Sequence, residues 1–111
     1  MDFSEYQALA RKTVVYAQVS GISLLAYVTM GLAGEAGEVA NKVKKIYRDD
    51  DGLLTLSRRA EIVKEIGGTL WYVSQLCSEL NLSLDEVAQA NLSLLADRHE
   101  RGVISGDGDN R

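Results

Sequence analysis

The sequence predicts an all-α fold, four helices packed as an antiparallel bundle or a related helical arrangement, and three observations carry that expectation. Apolar residues recur at helical spacing in four stretches joined by short, turn-like segments. No proline interrupts them, and no stretch has the strict alternation of a half-buried strand. The chain has 111 residues, 46% hydrophobic and 25% charged, the length and composition of one globular domain. Without repeats, low-complexity tracts or linkers, residues 1–111 read as a single helical domain.

The first helix is expected over residues 4–19, with Asp2 or Ser4 as its cap. The second runs from about Ser23 to Arg48 and stops in the turn-like "RDDDG". The third starts near Thr55 or Ser57 and continues to about Leu80. The fourth opens at Ser83, where "SLDE" spells a capping box between Ser83 and Glu86, and reaches about Glu100. The tail "RGVISGDGDNR", residues 101–111, is too rich in glycine and aspartate for helix and reads as a frayed end or a segment closing over bound substrate. Helices this long in so small a chain bury more surface by pairing with a copy of the chain, so an oligomer is expected.

Charge and cysteine usage narrow the function. A net charge of −4 and a pI near 4.9 argue against nucleic acid or an anionic membrane as partner. No apolar run reaches the roughly 18 residues of a membrane span, and the first residues lack the layout of a secretory signal. The single cysteine, Cys77, falls in an apolar helical stretch and reads as an inert buried thiol. His99 stands among charges and reads as solvated. A cytoplasmic location is expected.

The informative stretch is "GLAGEAGEVANKVKK", residues 31–45. Each interior glycine weakens a helix by about 1 kcal/mol relative to alanine, so Gly31, Gly34 and Gly37 need a reason. At about 100° per residue, Glu38, Lys42 and Lys45 share one stripe with Glu35, beside an apolar stripe of Leu32, Val39, Val43 and Ile46. Gly31 and Gly34 fall on the glutamate side, where they clear space, whereas Gly37 points elsewhere and suits close helix packing. In "AEIVKEIGGTLWYV" the pattern returns: Glu61, Glu65, Gly68 and Tyr72 share a face next to Ile62, Ile66, Val73 and Leu76. If the two helices pack through their apolar stripes, the glutamates converge. Gathered carboxylates repel one another and lose hydration unless a cation neutralises them, and hard oxygen donors suit Mg²⁺ or Mn²⁺. The same glutamates equally suit a solvated face paired with lysines. Trp71 and Tyr72 read first as core aromatics and second as a stacking surface for a base.

At "GLAGEAGEVANKVKK", "EIGGTLWYV" and "ANLSLLADRHERG" the chain resembles the MazG-like all-α nucleoside triphosphate pyrophosphohydrolases, and the resemblance spans nearly its whole length. The family signature is E-x-x-E followed one helix later by E-x-x-D. Glu35 and Glu38 match the first pair, and Glu65, after 26 intervening residues, matches the next glutamate. The resemblance implies a helical homodimer or homotetramer. It further implies Mg²⁺-dependent cleavage of a nucleoside triphosphate, or its deoxy form, to the monophosphate and pyrophosphate. Glu35, Glu38 and Glu65 would hold the metal, with Glu61 as a further candidate, while water attacks the α-phosphorus. Lys42 and Lys45 are the expected phosphate-binding cations, with Asn91, Tyr72, Arg101 and Arg111 as further substrate-binding candidates.

Two positions depart from the pattern. Gly68 stands where the family has the aspartate of E-x-x-D, and Leu94 stands where a lysine often follows Asn91. Asn91 itself falls on the apolar stripe of Val87, Leu94 and Leu95 and therefore calls for a buried partner. Gly68 leaves three readings: Glu61 supplies the missing oxygen, water fills the place, or catalysis is lost and the chain serves as a nucleotide-binding or helical oligomerisation module.

Overall fold

The structure, a computed structural model, describes residues 1–16 and 22–111. Its helices are α1 (Phe3–Arg11), α2 (Leu24–Asp49), α3 (Leu56–Glu79) and α4 (Leu84–Glu100), and the described residues contain no strand. Side chains cap three of the four starts. The Asp2 carboxylate accepts the Glu5 amide at 2.8 Å while Glu5 accepts the Asp2 amide at 3.0 Å, a closed capping box. Thr55 caps α3 through the Arg58 amide at 3.1 Å, and Ser83 caps α4 through the Glu86 amide at 3.3 Å.

The first helix is shorter than the sequence suggests. It ends at Arg11 rather than residue 19, and residues 17–19 of the expected helix lie outside the described residues. The reason is local and tertiary together. Thr13, Val14 and Val15 are β-branched and poor helix formers. The Thr13 hydroxyl also turns back to the Ala10 carbonyl at 2.7 Å and accepts the Trp71 indole N–H at 2.8 Å.

The two longest helices, α2 and α3, form an antiparallel hairpin. The α2 end is closed by the Gly52 amide on the Ile46 carbonyl at 3.0 Å, a bond that Asp51 permits by turning to φ 53°. Two facing pairs set the register: Gly31 lies against Tyr72 and Glu35 against Gly68. Four residues forward on α2 match four residues back on α3, which places Glu38 near the level of Glu65 and Lys42 near that of Glu61. Gln7 fastens α1 to the α3–α4 turn: its amide donates to Ser78 Oγ at 3.1 Å and the Leu82 carbonyl at 2.9 Å, and its carbonyl accepts the Leu84 amide at 2.9 Å.

The fourth helix does not close the bundle within one chain. It touches α1 and α3 and makes no contact with α2. The radius of gyration is 17.1 Å, against about 13 Å for a compact chain of roughly this length. Buried apolar side chains among the described residues are few: Ala10, Tyr16, Val28, Ile46, Cys77 and Leu84. Val87, Leu92, Leu94 and Leu95 on α4 stay exposed. The tail, by contrast, is wound on itself. The Arg111 guanidinium donates to the carbonyls of Val103, Ile104 and Gly108, and the buried Arg98 donates to the Asp109 carbonyl at 2.6 Å.

Candidate functional site

Glu35 on α2 is half-buried and leans across the hairpin over Gly68 of α3. A Cβ at position 68 would lie 2.7 Å from Glu35 Oε2 and 2.9 Å from its Cδ. The volume that a side chain at Gly68 would need is therefore filled by the end of Glu35. Burial first, then a hydrogen bond with the Glu65 carboxyl and the charges of Glu65 and Glu38, raise the Glu35 pKa above its usual value. The two carboxyl groups thus face each other across the seam, which disfavours the charge on Glu35.

The other expected ligands stand further off. Glu38 is exposed, near enough for its charge to reach Glu35. Glu61 is engaged elsewhere: Arg58 donates to it at 3.0 Å and to Asp50 at 2.8 Å, so a guanidinium already balances its charge. Among the described residues no three Asp, Glu, His or Cys side chains stand together as a ready metal site. The residues that could hold a hard cation are thus the Glu35–Glu65 pair, with the Glu38 charge felt at the same place. A hard cation that keeps several waters needs few protein oxygens.

Lys42 and Lys45 are half-buried further along α2, and the described residues give neither an ion-pair partner within 4.0 Å. They remain available to an anion at that end of the seam. The residues expected from α4 and the tail do not join the carboxylates in one chain. Asn91 is exposed and has no buried partner, because the α4 face that carries it is uncovered. Arg101 is held by Asp97 at 2.9 Å and by the carbonyl of Arg111, and Arg111 by three tail carbonyls. Both arginines order the tail in this structure.

The glycines separate into two kinds. Gly34 and Gly37 are exposed with nothing within 4 Å of an added Cβ, so neither serves helix packing in the single chain. Gly31 does not leave free space over the carboxylates: an added Cβ there would collide with the Tyr72 ring. Tyr72 packs edge-on to Trp71 with centroids 4.9 Å apart. Its hydroxyl pKa is raised by burial, by Tyr27 beside it and by Glu35.

A family model for the MazG nucleotide pyrophosphohydrolase domain matches residues 23–103, which is α2 through α4. The chain belongs to the MazG nucleotide pyrophosphohydrolase family. It is also similar to the "Gene 37 protein" of Mycobacterium phage L5, 50% identical over 109 residues that cover 96% of each chain. No solved structure matches it. The MazG assignment fits the all-helical architecture, and no helix among the described residues is long and apolar enough to cross a membrane.

One cluster escaped the sequence reading. At the other end of α3, Arg11 donates to Gln75 Oε1 and Glu79 Oε1, both at 3.0 Å, and the Tyr16 hydroxyl lies between Arg11 and Glu79. Tyr16 is stacked on Tyr27 and edge-on to Trp71. The signal was present in the spacing: Glu61, Glu65, Gly68, Tyr72, Gln75 and Glu79 follow one another at intervals of four and three, a continuous helical seam. Its partners, Arg11 and Tyr16, became visible only in three dimensions.

Proposed function

We propose that this MazG-family chain is a Mg²⁺- or Mn²⁺-dependent nucleoside triphosphate pyrophosphohydrolase, converting a (d)NTP to the (d)NMP and pyrophosphate. The observation that carries the reading is the Glu35–Glu65 carboxyl pair, half-buried at a helix–helix seam, with neither carboxyl in an ion pair among the described residues. Such a pair is destabilising by itself and becomes favourable when a divalent ion supplies the missing charge. Glu35 and Glu65, joined by Glu38, would hold that ion, which supplies Lewis-acid polarisation of phosphate oxygens. Lys42 and Lys45 bind the triphosphate and offset charge on the departing pyrophosphate. Housekeeping of the nucleotide pool in the cytoplasm is the role that suits a small acidic enzyme of this kind.

The working unit is a homodimer or a larger homo-oligomer. The uncovered apolar face of α4 and the separation of α4 from α2 support it, since a second copy would cover that face and bring Asn91 out of solvent.

A second reading rests on Gly68: a MazG relative that binds nucleotide without turning it over. Pyrophosphate release from a panel of triphosphates with Mg²⁺ and with Mn²⁺ decides between them. Release that disappears in Glu38→Gln supports the hydrolase. Nucleotide binding without release on the whole panel supports the binding module.

A further inference from the structure

We propose that Gly31, Tyr72 and Gly68 form a slot that steers the Glu35 carboxylate across the α2–α3 seam, so that Glu35 takes up the volume which a side chain at position 68 would otherwise fill. On this view Gly68 is an opening and not a missing ligand, and Tyr72 is a positioning residue. The inference rests on the carboxyl pair being the cation site of the pyrophosphohydrolase proposed above.

Side chains on a helix lean toward its N-terminus, so Glu35 would ordinarily lie back along α2 over Gly31, one turn earlier. That path is closed, because the Tyr72 ring occupies the place of the absent Gly31 side chain. The ring is itself fixed from behind by Trp71 and flanked by Tyr27. With the backward path filled, Glu35 turns toward α3, and there only the lack of a Cβ at Gly68 admits it. Tyr72 and Gly68 are four residues apart on α3, and Gly31 and Glu35 four apart on α2, so wall and opening share one register. Gly67, directly beside Gly68, has nothing within 4 Å of an added Cβ. The crowding is therefore specific to the position that faces Glu35.

The test is Mn²⁺ affinity of the full chain, followed by electron paramagnetic resonance of free Mn²⁺, with thermal melting in EDTA as a check on folding. Alanine at position 68 suits a helix better than glycine, and the three atoms nearest its Cβ all belong to the flexible Glu35 side chain. Gly68→Ala is expected to melt no lower than the parent yet bind Mn²⁺ at least tenfold more weakly. Tyr72→Leu is expected to lose affinity similarly, and Tyr72→Phe, which keeps the ring, to restore it. Glu35→Ala alone is expected to abolish binding, while Glu35→Ala combined with Gly68→Asp is expected to regain it, because the shortened side chain at 35 vacates the volume and an aspartate then stands where Glu35 reached. Gly68→Ala binding within twofold of the parent would overturn the slot and leave the hydrolase reading intact. A parent chain that binds no Mn²⁺ would overturn both.

Discussion

Two carboxylates on one seam of α3 live in opposite company. Glu79 receives the Tyr16 hydroxyl and the Arg11 guanidinium, and these hold its carboxyl below the usual range against the effect of burial. Glu65, two heptads earlier, faces the Glu35 carboxyl, whose pKa is raised. The first end is a finished structural joint fastening α1 and the segment after it to α3. The second is a joint the chain leaves electrostatically incomplete. A fold tolerates such frustration where something outside the chain relieves it, which is the physical mark of a site.

Breaking the finished end should cost the most stability. Glu79→Ala removes acceptors from both Arg11 and Tyr16, and hydrogen bonds to charged groups are each worth about 1.5–3 kcal/mol. A fall of about 2–3 kcal/mol in unfolding free energy, read from urea titration, is expected; a loss of under about 0.5 kcal/mol would mean that the cluster is decorative. Removing the Glu35 charge should act in the opposite direction. Glu35→Gln in EDTA at neutral pH is expected to melt higher than the parent, because a like-charge contact is gone.

The pH dependence sharpens the contrast, since the two ends carry opposite signs. For Glu79 the folded pKa lies below the unfolded one, so its contribution is complete above the unfolded value and fades as pH falls through the folded value. For Glu35 the folded pKa lies above the unfolded one. Its penalty is complete above the folded value and vanishes below the unfolded value, so its local contribution improves as pH falls. Melting against pH should therefore show less acid sensitivity in Glu79→Gln and more in Glu35→Gln than in the parent. The smallest effect belongs to the exposed Arg48–Asp49 pair at 2.8 Å; Arg48→Ala should shift stability by no more than about 0.5 kcal/mol.

Much of this was legible in the residues. Helix starts at Asp2, Thr55 and Ser83 follow from side chains that satisfy the first amides, and the turn after α2 from Asp51 and Gly52. The face shared by Glu61, Glu65, Gly68 and Tyr72 follows from helical spacing alone. What spacing does not give is the occupant of a gap. Gly31 reads as open space and is filled by Tyr72; Gly68 reads as a missing ligand and is filled by Glu35; Gly34 and Gly37 look alike in sequence and face nothing. Glu61 appears equivalent to Glu65 on a wheel, yet Arg58 claims it.

Short-range pattern was enough for the helical class and the stripe of carboxylates and narrowed each cap of α1 and α3 to two residues, because these depend on residues within a few positions of one another. Long-range packing was needed to see that the first helix stops at Arg11, that α4 leaves its apolar face uncovered, and that Glu35 faces Glu65 while Glu79 meets Arg11. Those outcomes depend on which side chain from a distant segment reaches a given volume first, and backbone periodicity carries no information about that.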